Sequence, residues 1–261
     1  MHSSNTSRLW QPHYRQGPDY RFGDDVSFGD IRDQFGLSGV KVGRWVDKAE
    51  RQQAANLIFD ALADLAFILN VPPQTLGLRG QLSLAFGTGG QPGVQAHYAP
   101  ASKTLALAKN AGSGALAHEF WHAFDHHVAE KAFEQRHHGI RFASHLWLQH
   151  EPLRAHPINH ALSQLFEAVF APNTDDHGEY LTQAMALDKQ LGRTYFALPT
   201  ELMARAFEAC IQGDNRIKNQ YLVSGTKQSD LAKAGAYPSP EHLRIIRNAT
   251  LSYFELLGRS L

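Results

Sequence analysis

The chain has 261 residues, 43% of them hydrophobic, with 25 basic and 25 acidic side chains, 15 histidines and one cysteine. That is ample apolar material for a sizeable core. A formal net charge of zero gives no bulk attraction to nucleic acid or to an anionic membrane, and the lone Cys210 excludes an intramolecular disulfide or a cysteine-rich zinc ribbon.

Residues 1–25 mix arginine, histidine, proline and scattered aromatics without a continuous apolar run, so they read as an irregular arm and not as a secretory signal. No stretch is long and apolar enough to span a membrane, and a cytoplasmic location is expected. Residues 26–261 are expected to form one domain, an α/β part over 26–128 followed by a helical part over 129–261. Phe28–Gly36 reads as a short helix ended by its glycine. Asp47 with Glu50 three residues later has the form of a capping box. Ala54, Leu57, Ile58, Ala61, Leu62, Leu65, Ile68 and Leu69 then follow helical spacing until Pro72-Pro73 stops the run. This is a core helix with no chemistry of its own.

The period changes over 80–110. Gln81–Phe86, Gln95–Tyr98 and Lys103–Ala108 read as short strands, the last two joined by a Pro100-Ala101-Ser102 turn. The glycine-rich stretch from Gly87 to Gly93 fits neither the dinucleotide nor the P-loop spacing and is read as a hairpin or rim loop. An open strand at this point is a natural place for an extended peptide to pair.

The strands lead into Gly112–His127, where His118-Glu119-Phe120-Trp121-His122 is an H-E-x-x-H pattern. Two histidines four apart on a helix share a face, so both imidazoles can reach one metal ion. The glutamate beside the first is placed to take a proton from a metal-bound water. Helical context is good: Ser113 is a candidate N-cap, and no glycine or proline follows from Ala115 until Gly139. Leu116, Phe120, Ala123 and Phe124 make an apolar stripe, and Ala115, His118, His122 and Asp125 lie opposite. Chance would produce roughly 0.04 such patterns at these histidine and glutamate frequencies.

The rest reads as helical. His137, His138, His145, His150, His156 and His160 lack a common period, and most of them are read as exposed. Asn159–Phe170 and Gly178–Leu191 are helices, the second ended by Gly192, with an acidic turn over Pro172–Gly178 between them. Pro199-Thr200 starts another, with Thr200 as candidate N-cap. Glu201, Arg205 and Glu208 share one face of it, and Leu202, Met203, Ala206, Phe207 and Cys210 fill the other. A carboxylate on the first turn of a core-anchored helix is rigid enough to be a third metal ligand. A solvated Glu201–Arg205 pair would have the same spacing, and Glu167 and Asp125 compete for the ligand role. Asp125, one turn past His122, is better placed to orient a ligand histidine than to bind the ion.

Phe35-Gly36 through Gly43-Arg44-Trp45-Val46, Ser83–Gly87, Ala96-His97-Tyr98 with Pro100, Gly112–Asp125, Pro199–Glu208 and Tyr221-Leu222-Val223 together resemble the CLCA-X group of zincin-like proteins. That group is similar to a large polyvalent protein-associated domain of phage and plasmid proteins. A more distant resemblance is to the catalytic domain of anthrax lethal factor, whose third-ligand helix Glu201-Leu202-Met203-Ala204-Arg205-Ala206-Phe207 resembles. These resemblances imply an α+β, zincin-like metallopeptidase fold: a small mixed sheet packed on the active-site helix, with a mostly helical C-terminal half. They also imply one zinc ion held by His118, His122 and Glu201. Tyr195 would be an oxyanion donor, and Asp125 and Glu208 would support the ligands from behind.

The activity so implied is hydrolysis of a protein or peptide substrate, with Glu119 assisting attack by a zinc-bound water. Two alternatives keep the same residues: a catalytically silent binding or scaffold module of a mobile-element or defence system, and a zinc amidase acting on non-peptide substrates. Neither nucleic-acid nor membrane partners are expected.

Overall fold

The computed structural model describes residues 8–89, 95–109, 114–134, 139–170 and 178–260. The fold class is α+β, with small sheets and many helices, the class that the resemblance implies. The chain divides into two compact units, residues 1–68, 72–120 and 214–224 in one and residues 69–71, 121–213 and 225–261 in the other. Ser113, Gly90–Gly93, His137, His138 and most of the acidic turn at 172–178 lie outside the described residues. Among the described residues, no helix is long and apolar enough to cross a membrane.

The first unit contains β1 (Arg15–Gln16), α1 (Phe28–Gln34), β2 (Gly39–Val42), α2 (Lys48–Leu69, whose last residue falls in the other unit), β3 (Ser83–Phe86), β4 (Ala96–Ala99), β5 (Thr104–Leu107) and β6 (Lys218–Asn219). Two helices of this unit start in capping boxes, of which the sequence reading names only the one at Asp47 and Glu50. Ser27 and Asp30 form a reciprocal box at the start of α1. At α2 the Glu50 amide donates to Asp47 Oδ1 at 2.8 Å and the Asp47 amide to Glu50 Oε2 at 3.1 Å. The apolar stripe of α2, including Ala54, Ile58, Ala61, Leu62 and Leu65, is buried.

The main sheet has the order β2-β3-β5-β4, with β2, β3 and β5 parallel and β4 antiparallel to β5. The three expected strands are present: β3 starts two residues later than expected, β4 is shifted by one residue towards Ala99, and β5 is shorter by one residue at each end. β2 is an addition: Gly39-Val40-Lys41-Val42 is too short to show a period and becomes a strand by pairing with β3. β4 lies at an edge. Its register sets Tyr98 opposite Leu105, between the two neighbouring pairs His97–Ala106 and Ala99–Thr104. The N-terminal arm, expected to be irregular, carries β1, which pairs with β6. Arg15 grips fully buried Asp64 through Nε and Nη2, both at 2.8 Å, and Asn219 donates to the same carboxylate at 2.8 Å.

The helix α3 (Leu116–Ala132) runs through the division, which falls after Phe120. The second unit holds the rest of α3 with α4 (Ala143–Leu148), α5 (Pro157–Phe170), α6 (Gly178–Leu191), α7 (Pro199–Gln212), α8 (Asp230–Lys233) and α9 (Pro240–Arg259). Its core is aromatic. Trp121 lies 5.0 Å from Phe207 and 5.4 Å from Phe124, ring centre to ring centre, and Phe124 lies 5.0 Å from Phe254. Each such side chain contributes about 1.5–3 kcal/mol by leaving water. Phe207 thereby anchors α7, and Trp121 and Phe124 anchor α3, so the faces that these helices present are set by the core. Cys210 is buried on α7 and burial pushes its thiol up to about 12, in keeping with a packing role.

Candidate metal centre

The start of α3 is held by backbone. The Gly114 amide donates to the Tyr221 carbonyl and the Ala117 amide to the Leu222 carbonyl, each at 3.1 Å, which satisfies donors that a helix start leaves open. Gly114 has φ +103°, and a Cβ there would lie 2.5 Å from the Ser224 nitrogen, so only glycine fits. Leu116, Ala117, Phe120, Trp121, Ala123 and Phe124 are all buried. With that face committed, His118 and His122 are only half-buried on the other side, one turn apart.

The third residue comes from α7. Pro199 opens this helix at its first position, and Leu198, with no side-chain bond, is its N-cap. Thr200 is therefore not the cap that the sequence suggested: proline fixes the backbone one residue earlier and leaves the threonine inside the first turn. Glu201, in that turn, is 7% exposed. Its Oε1 lies 3.2 Å from His122 Nε2. One ligand atom from each of His118, His122 and Glu201 lies within 4.8 Å of the others, and among the described residues no other group of three or more histidine, cysteine or acidic side chains converges in this way. Glu167, a rival on sequence grounds, is exposed on α5.

Glu119 follows His118 and is anchored separately. Its Oε2 accepts the backbone amide of Tyr98 on edge strand β4 at 2.7 Å. Sequence reading anticipated an open strand near the motif helix but not this bond, because a backbone donor leaves no mark on residue type. Burial pushes the Tyr98 phenol well above its ordinary range.

Asp125 is fully buried, whereas the sequence placed it on the polar stripe. It accepts the Ser144 amide at 2.8 Å and the Ser144 hydroxyl at 2.6 Å. Burial pushes its carboxyl up to about 6, against the pull of Ser144 and of His122 in the other direction. Its tie to His122 is thus electrostatic, while its hydrogen bonds hold α4 to α3.

The Glu201–Arg205 pair exists, but it is buried and not solvated. Arg205 Nη2 is 3.7 Å from Glu201 Oε2. The guanidinium carbon sits over three rings, 4.5 Å from Phe196, 5.4 Å from Tyr195 and 5.7 Å from Tyr237. Tyr195, half-buried, therefore meets the cluster through Arg205. Its segment is pinned by Asp188, whose carboxylate accepts the amides of Tyr195, Phe196 and Ala197 at 2.9–3.0 Å. Glu208, also buried, acts with Arg205 on the phenol of Tyr237, which burial raises first, Glu208 raises further and Arg205 lowers. Sequence reading gave α7 one polar and one apolar face; the whole of Glu201–Ile211 is buried.

Residues 187–261 match the family model described as large polyvalent protein-associated domain 1. This agrees with the phage- and plasmid-associated part of the resemblance seen in the sequence. The matched span contains Glu201, Arg205 and Glu208 but not α3. No curated protein and no solved structure matches the chain.

Proposed function

We propose that the chain is a zincin-like, zinc-dependent metallopeptidase of the CLCA-X kind, acting in the cytoplasm on a protein or peptide substrate. The observation that carries this reading is the convergence of His118, His122 and Glu201 with Glu119 next in sequence to the first of them. The donor set suits zinc, which takes imidazole nitrogen and carboxylate oxygen and leaves one position open in catalytic sites. Two ligands of a tetrahedral zinc with bonds of about 2.0–2.1 Å stand about 3.3 Å apart, and His122 Nε2 and Glu201 Oε1 stand 3.2 Å apart.

When bound, zinc supplies Lewis acidity that brings a coordinated water's pKa towards neutrality. The rest falls to the chain. Glu119 takes a proton as water attacks the peptide carbonyl and returns it to the leaving amine. The Tyr98 amide aims its carboxylate meanwhile. Tyr195 supplies a hydroxyl to the developing oxyanion. Asp125 and Glu208 steady the ligands from behind, the first through the field it exerts on His122.

Incubating the zinc-loaded protein with a proteome and reading new termini by mass spectrometry tests the activity. New termini should appear with the wild type and vanish with Glu119→Gln, which should keep its zinc. A Glu119→Gln protein of full activity would refute the assignment. The match to large polyvalent protein-associated domain 1 favours a second reading, a scaffold module of a mobile element that binds zinc without catalysis. In that case neither protein yields new termini.

A further inference from the structure

Arg205 stands one turn beyond Glu201 on α7, where a zinc site has no need of a cation. It is buried, and Phe196, Tyr195 and Tyr237 box its guanidinium. Its Nε has no hydrogen-bond partner. The group is therefore held by ring faces, by nearby negative charge and by a hydrogen bond with Tyr237. A guanidinium keeps its proton at any accessible pH, and one enclosed by three rings cannot swing out to water. The wall of the cluster thus carries a permanent positive charge, with Nη2 3.7 Å from Glu201 Oε2 while Oε1 of the same carboxylate faces His122.

We infer that Arg205 sets how tightly the metal is held: it shares the charge of Glu201 and repels an incoming cation. The ion is then bound more weakly, and exchanges more readily, than the same two imidazoles and carboxylate would allow alone. This inference rests on the zinc reading of His118, His122 and Glu201. Burial removes the salt screening that would otherwise mute the effect. Glu208 pulls the other way, since its carboxylate offsets part of the Arg205 charge. A purely structural Arg205 predicts the opposite sign, because its loss would loosen α7 and let Glu201 stray.

The test is a zinc titration of the full chain, stripped of metal, against a competing chromogenic chelator. Arg205→Met keeps the stem and removes the charge, and should bind Zn2+ at least about tenfold more tightly than wild type. Arg205→Lys keeps the charge and should stay within about threefold of wild type. Glu208→Gln should bind about threefold or more weakly; if Arg205→Met does not fold, Arg205→Gln, which also removes the charge and should bind more tightly than wild type, decides the matter. Unchanged or weaker binding by Arg205→Met, or unchanged or tighter binding by Glu208→Gln, overturns the inference while leaving the zinc reading in place. Absence of zinc binding by wild type and Arg205→Met alike removes both.

Discussion

Two buried carboxylates each face an arginine, and the arginines hold them differently. Asp64 on α2 is saturated: Arg15 takes both oxygens at 2.8 Å and Asn219 adds a third bond at 2.8 Å. Glu201 on α7 divides its oxygens between His122 at 3.2 Å and Arg205 at 3.7 Å, the latter beyond hydrogen-bond range. A forked arginine–carboxylate bond ties chain segments together. Here it fastens the N-terminal arm, β6 and α2. Glu201 instead lies between an imidazole and a ring-boxed cation, and under the proposed function it is the one that meets a ligand. Charge and burial alone do not separate the two cases; the geometry of the arginine does.

Breaking each carboxylate sharpens that contrast. The largest effect is expected for Glu201→Ala, which should weaken zinc binding by more than the ~10–100-fold that removal of an outer partner costs. Equilibrium dialysis with metal analysis checks this, and an unaltered zinc content would take Glu201 out of the ligand set. Asp64→Ala should leave zinc content alone but cost about 3 kcal/mol in urea denaturation, because Arg15 and Asn219 lose their shared acceptor. A loss of zinc from Asp64→Ala would erase the distinction between the two carboxylates. Smallest is Ser144→Ala, which removes one of the two donors to Asp125. It should cost about 1.5–3 kcal/mol by the same measurement at full zinc occupancy, towards the lower end because the Ser144 amide bond remains.

The same contrast marks how far the sequence could be read. The capping box at Asp47–Glu50 and the period of α2 were plain because both depend on residues close together in the chain. His118 and His122 were plain for the same reason, four residues on one helix. For the proposed third ligand, residue spacing left Glu201, Glu167 and Asp125 in contention, two of them on other helices, until a family resemblance favoured the first. Asp125 shows why the rest stayed hidden. Helical periodicity put it on the polar stripe, but its acceptor role is met by Ser144, in a stretch of scattered histidines with no period. Arg205 looked like half of a surface pair because the rings that enclose it come from Phe196, Tyr195 and Tyr237, and Tyr237 is more than thirty positions away. β2 depends wholly on its partner strand.

The most direct measurement is anomalous diffraction at the zinc edge from crystals of the zinc-loaded protein. The account predicts a single strong peak bonded to His118, His122 and Glu201. A peak bonded to other side chains, or none at saturating zinc, would contradict it.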